Sequence, residues 1–111
     1  MIVFNSRIPA LVSWFFPVAA ITIGPVIFVR GRQASPALLR HELIHVAQGR
    51  ELFFVGFWLL YLGFWLFYLL QCGSPLQAYK LIPFELEAHA HQNTGYYLQN
   101  RKLFAWRRFI I

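Results

Sequence analysis

The sequence predicts a mostly helical α+β fold. A short β-hairpin edge packs on a helix carrying His41-Glu42-Leu43-Ile44-His45, followed by a long apolar helix and a further helix rich in acids and histidines. Three observations predict it. A β-branched and aromatic stretch is broken by Gly24-Pro25, Ser35-Pro36 has the chemistry of a helix start, and nineteen consecutive residues from Leu52 to Leu70 carry no charge. At 111 residues the chain is expected to form one domain, 1–111, with a single core.

Residues 1–7 hold one Arg, and the uncharged stretch 8–29 contains Pro9, Pro17 and Pro25. Neither a continuous helix nor a secretory signal is expected there. Val18–Arg30 (18–30) reads instead as two short strands, because Ile21, Ile23, Val26, Ile27, Phe28 and Val29 favour a pleated backbone and Gly24-Pro25 turns it. Ser35 then supplies an N-cap and Pro36 suits the first helical position. A helix is expected over 36–48, ended by Gly49, with Leu39, Leu43, Val46 and Ala47 available to the sheet. The apolar helix is placed at 51–71, stopped by Gln71-Cys72-Gly73-Ser74-Pro75; a last helix is placed at 83–98 and a basic, aromatic tail at 100–111. Cys72 is the only cysteine, which excludes an internal disulfide and reads as a small residue near a helix end.

The composition is 59% hydrophobic and 19% aromatic, with 13% charged residues against roughly a quarter in average soluble domains. A membrane surface or partner chains are therefore expected to cover part of the 52–70 helix. The net charge of +6 favours anionic lipid over nucleic acid, since the basic residues are scattered and no recognition module is present. Nine of the nineteen residues in 52–70 are aromatic, which suits a membrane interface, and Gly56 and Gly63 share one helical face that permits close helix contact. Arg101, Lys102, Arg107 and Arg108 with Trp106 give the tail two readings, an anchor on an anionic surface and a solvated terminus.

His41 and His45 stand four apart, so on a helix both imidazoles face one metal ion, Zn2+ by donor type. Glu42 projects beside that face as the general base for water polarised by the metal. Polar side chains also interrupt an apolar segment here, where burial without partners is costly. A third protein ligand is required. Glu51 is a poor geometric choice, and Glu85, Glu87, His89 and His91 cluster downstream. Glu85 and His89 share a face, as do Glu87 and His91 on the far side. The first pair is preferred, with Glu85 as ligand, Glu87 as the alternative, and His89 as a hydrogen-bond donor to the reacting group. His91 is expected to point outward. Tyr96 and Tyr97 are candidate donors to an oxyanion, with a core role as the other reading.

His41-Glu42-Leu43-Ile44-His45-Val46-Ala47-Gln48 followed by Phe84-Glu85-Leu86-Glu87-Ala88 resembles the gluzincin metallopeptidases, and most of all the minimal-gluzincin group that includes the membrane CaaX-type and heat-shock-type proteases. Their second motif is E-x-x-A-D. Aligned on Ala88, the resemblance implies Glu85 as third zinc ligand, while His89 stands where that motif has Asp. It also implies a substrate-holding edge strand, placed at Val26–Arg30, and covers roughly residues 18–92.

A simple bilayer crossing by 52–70 sets His45 and Glu85 about 30 Å apart, too far to share one ion at about 2 Å. A return through 71–84 as extended chain leaves backbone groups unpaired in lipid. The leading expectation is thus a membrane-associated zinc peptidase acting on a peptide or protein. Beside it stands a zincin-like structural subunit of a membrane complex or virion without peptidase activity. A small membrane protein with chance histidines is the third reading.

Overall fold

The protein is described by a computed structural model covering residues 2–9 and 19–110. Pro17 and Val18, which bear on the proline-broken stretch and the hairpin start, lie outside these residues. Strands β1 (Ile2–Val3), β2 (Ala20–Ile23) and β3 (Val26–Val29) form one sheet in the order β1-β3-β2. β1 runs parallel to β3, and β2 pairs antiparallel with it from Ala20↔Val29 to Ile23↔Val26. Gly24 turns this hairpin at φ 58°, a conformation that suits glycine. The helices are α1 (Pro36–Glu51), α2 (Val55–Cys72), α3 (Pro75–Leu81), α4 (Pro83–His91) and α5 (Tyr97–Asn100), followed by a 3₁₀ turn at Ala105–Phe109. The fold is α+β and mostly helical, as the sequence predicts.

Ser35 caps α1, its hydroxyl accepting from the Leu38 N–H, with Pro36 in the first turn. The helix does not stop at Gly49. A Cβ there would meet the Phe54 ring at 2.8 Å, so this glycine clears space for packing while the helix continues to Glu51. α1 packs on β2 and β3 through a core of Ala20, Ile27, Val29 and Val46, flanked by Ala34 and Leu38. Leu43, expected on the sheet side, is exposed instead.

α3 turns back on α2, and α4 then packs on α1, so the return leg between the two motifs is helical rather than extended. Phe57, Ile82, Phe84 and Trp106 form a second core, lined by Trp58, Tyr61, Phe64, Trp65 and Tyr79. A fully buried Phe84 contributes about 2–3 kcal/mol by removal from water alone. The expected 83–98 helix divides: α4 ends at His91, the chain turns, and α5 begins at Tyr97. The tail is docked at two points. Trp106 is buried against Phe64 and Phe84, and Arg101 is drawn inward by two carboxylates, which leaves Lys102, Arg107 and Arg108 exposed. For Arg101 and Trp106 this replaces both the lipid-anchor and the solvated reading.

Candidate metal centre

Helices α1 and α4 bring His41, His45 and Glu85 together, all buried, in an arrangement compatible with a metal ion. His41 Nε2 lies 3.2 Å from His45 Nε2 and 3.1 Å from Glu85 Oε1, and His45 Nε2 lies 3.2 Å from the same carboxylate. Ligands about 2.0–2.1 Å from a tetrahedral ion stand about 3.3 Å from one another, so the three spacings fit that geometry closely.

The other ring nitrogens decide what these three atoms are. His45 Nδ1 is 2.8 Å from Gln48 Oε1, and the Gln48 amide cannot be flipped, because its Nε2 donates to the Phe84 carbonyl (3.0 Å) and to Glu87 Oε1 (3.1 Å). His45 Nδ1 must then carry the proton and donate. Gln92 Oε1 stands 2.9 Å from His41 Nδ1 as the matching acceptor for a proton there. Both Nε2 atoms therefore present lone pairs to a carboxylate oxygen. Three acceptors at 3.1–3.2 Å repel unless a cation sits among them, either a proton or a metal ion.

The charge balance points the same way. Glu42 and Glu85 are both buried, and among the described residues no Lys or Arg bonds either one. Burial opposes the His45 charge, but Glu85 beside it, with a hydrogen bond and help from Glu42, raises its pKa to about 9. Burial likewise opposes the Glu85 charge, while His45 and His41 hold its carboxyl well below the usual range. In the metal-free protein a proton on His45 serves as the missing cation.

Residues that the sequence reading passed over complete the shell. Tyr61 of α2 donates to Glu85 Oε2 at 2.7 Å, and Tyr79 of α3 hydrogen-bonds the same carboxylate. Thr22 of β2 donates to Glu42 Oε2 at 2.7 Å. A cavity of about 240 Å³ opens beside them, lined by Ala19, Ala20, Leu38, His41, Glu42, Tyr79, His89 and Gln92. The His89 ring lies edge-on to His41, centroids 4.7 Å apart, and burial with the neighbouring His41 pushes its pKa down. Thr22 and Gln48 left sequence signals: one polar residue on the buried face of a β-branched strand, and an amide one turn past His45. Tyr61 and Tyr79 left none.

The other candidates lie elsewhere. Glu87 is fully buried, but it bonds Arg101 Nε (2.6 Å), Tyr97 Oη (2.7 Å) and Gln48 instead of the histidines. Burial opposes its charge, and the Arg101 and Tyr97 hydrogen bonds hold its pKa below the ordinary value. Glu51 joins this cluster by accepting from Arg101 Nη2 at 2.9 Å. Tyr97 is thereby occupied away from the cavity and Tyr96 is exposed, so neither faces the site. His91 is half-buried, stacked on Tyr97 at 3.8 Å, rather than simply outward. The substrate edge expected at Val26–Arg30 is the middle strand of the sheet; the strand against the cavity is β2. No protein-family model, curated protein or solved structure gives a significant match to this chain.

Proposed function

We propose that this protein is a zinc-dependent metallopeptidase of gluzincin type, in which His41, His45 and Glu85 hold the ion and Glu42 is the general base. The observation that carries the reading is the set of three buried acceptors at tetrahedral spacing, with a second carboxylate, Glu42, on the adjoining cavity wall. Two imidazoles and a carboxylate suit zinc among the common metals and leave one position open. When bound, zinc acts as a Lewis acid and lowers the pKa of a coordinated water toward 7.

The chain's own groups do the rest. Gln48 and Gln92 fix the histidine tautomers, and Tyr61 and Tyr79 steady Glu85. The Thr22 hydroxyl occupies Glu42 Oε2 and leaves Oε1 to accept a proton from water in the cavity and pass it to the leaving amine. His89, which also lines the cavity, is the candidate to donate to the carbonyl oxygen as charge develops there. An extended peptide along β2 brings its scissile bond over Glu42. The test is Glu42→Gln, assayed against a peptide library with zinc content measured on the same sample. The expected result is one equivalent of zinc retained and hydrolysis lost, and unchanged cleavage would eliminate Glu42 as the base.

A second reading, a zinc-holding subunit of a larger assembly without peptidase activity, is favoured by the exposure of α2, of whose 18-residue window 11% is buried. Stoichiometric zinc with no cleavage by the unaltered chain selects it.

A further inference from the structure

Helix α2 is long and apolar enough to cross a membrane, and Leu62, Leu66, Phe67 and Leu70 lie exposed along its second half. Two further features of the fold say what covers them. The first is charge. The chain has four acids, and every one is turned inward: Glu42 to Thr22, Glu85 to the histidines, Glu51 and Glu87 to Arg101. Among the described residues Arg101 is the only Lys or Arg paired with a carboxylate, so the other nine cations leave a surface that is entirely positive. An apolar face inside such a surface matches an anionic bilayer.

The second feature is the hairpin tip. Gly73 N–H donates to the Leu69 carbonyl (2.8 Å), and the Ser74 carbonyl accepts from Ala78 N–H (2.9 Å) and from the Cys72 thiol (3.6 Å). Ser74 Oγ accepts from Gln77 N–H (3.3 Å), Pro75 has no N–H, and its carbonyl accepts from the Trp65 indole (3.1 Å). These caps pair turn groups internally, as ordinary helix ends do, and that pairing makes the tip compatible with hydrocarbon. Tyr61 and Tyr79, both bonded to Glu85, set the two legs level with the metal centre, and residues 62–78 beyond them carry no charge. The 62–72 leg is about 16 Å long at 1.5 Å per residue, roughly half of a 30 Å hydrocarbon core.

We infer that the α2–α3 hairpin inserts into one leaflet of an anionic lipid bilayer without crossing it, with Lys80, Lys102, Arg107 and Arg108 at the headgroup phosphates. Lys80 directly follows the uncharged leg, and the other three line a concavity of about 320 Å³ on the tail. The helical return resolves the conflict between a membrane-inserted segment and a shared metal ion, since both motifs stay on the side of entry. The metal centre then sits at the membrane surface. The inference stands independently of the peptidase reading.

The test uses the full zinc-loaded chain, with an environment-sensitive fluorophore on Cys72, the lone cysteine and part of the tip. Flotation with vesicles of phosphatidylcholine, alone or mixed with phosphatidylglycerol, measures binding, and brominated acyl chains report insertion of the tip. Binding that is strongest on the anionic vesicles, with the fluorophore quenched, is expected. Leu70→Asp, at a side chain 87% exposed and so dispensable for folding, should weaken partition roughly a hundredfold. Arg107→Gln with Arg108→Gln should weaken it roughly thirtyfold on anionic vesicles and leave neutral ones unaffected. Zinc content and hydrolysis, read on the same samples, separate failure here from failure of the metal-site reading. Absence of vesicle binding, a bound chain whose tip fluorophore stays in water, or equal binding by Leu70→Asp overturns the inference. A stable dimer that ignores vesicles overturns it too and assigns the face to a second copy.

Discussion

Gln48→Leu tests the logic of the metal centre more sharply than removal of a ligand. The change keeps the approximate volume of a fully buried side chain and deletes three hydrogen bonds: one accepted from His45 Nδ1, one given to the Phe84 carbonyl, one given to Glu87. Without its acceptor, His45 is free to place its proton on Nε2 and to rotate, and both changes withdraw the lone pair from the ion. Loss of such a partner typically costs 10–100-fold in metal affinity. The Phe84 carbonyl keeps its place in the helical ladder of α4 and Glu87 keeps Arg101 and Tyr97, so the lost bonds cost about 0.5–1.5 kcal/mol each. Competition against a chromophoric chelator measures the first effect and denaturant unfolding the second. Gln48→Glu separates the two roles, because a carboxylate still accepts from His45 but cannot donate to Phe84 or Glu87. Its affinity should fall less than that of the leucine variant, while its stability falls more. Zinc binding by Gln48→Leu equal to that of the unaltered chain would refute the tautomer argument.

Two further predictions follow from the buried charges. Arg101→Met leaves Glu51 and Glu87 without their common cation and should cost about 3–5 kcal/mol, a drop of more than 10 °C in Tm for a chain of this length; a fall below about 4 °C means the tail is not held as described. In metal-free protein His45 has a folded pKa raised from 6.5 to about 9, so its stabilisation is complete below pH 6.5 and is lost as pH rises through 9, by up to about 3 kcal/mol. The Glu85 shift has the opposite sense, stabilising above the ordinary carboxylate pKa of 4.5 and fading on acidification. Thermal melts of chelator-treated protein should therefore be highest near pH 5–6.5, and a Tm that climbs from pH 7 to 9.5 contradicts the pairing.

Local chemistry made the first half of the molecule legible. The hairpin about Gly24-Pro25 and the Ser35-Pro36 helix start depend on neighbouring residues, and both stand where that chemistry places them. Helical period sets Glu85–His89 and Glu87–His91 as alternative faces, the resemblance aligned on Ala88 favours the first, and Glu85 does meet the histidines. What failed was set by distant partners. Gly49 reads as a stop until Phe54 is seen lying on it, and the 83–98 helix reads as continuous until Gln92 is seen turned back to His41 and Arg40. The tail reads as a lipid anchor or a solvated terminus until Arg101 finds two carboxylates, one of them 50 residues away in sequence. Val26–Arg30 reads as the edge because β1, two residues long, gives no periodic signal.

The use of so few acids explains why the metal centre and the apolar hairpin belong to one design. Glu51 and Glu87 share Arg101, which lies beyond bonding reach of either motif carboxylate among the described residues, so the pair Glu42 and Glu85 is buried with no fixed positive partner. Two carboxylates in that setting are tolerable with a divalent cation between the ligands, and with one proton they are compensated only in part. Two side chains of α2 close the site from one side, Phe57 beside the His45 ring and Tyr61 on Glu85, and the other side of that helix is bare. One helix therefore packs on the site with its inner face and offers an apolar surface on its outer face. A charge placed on that outer face, as in Leu70→Asp, should leave zinc content intact while weakening membrane binding. Loss of both together would mean that the outer face supports the site itself and that the two roles are not separable.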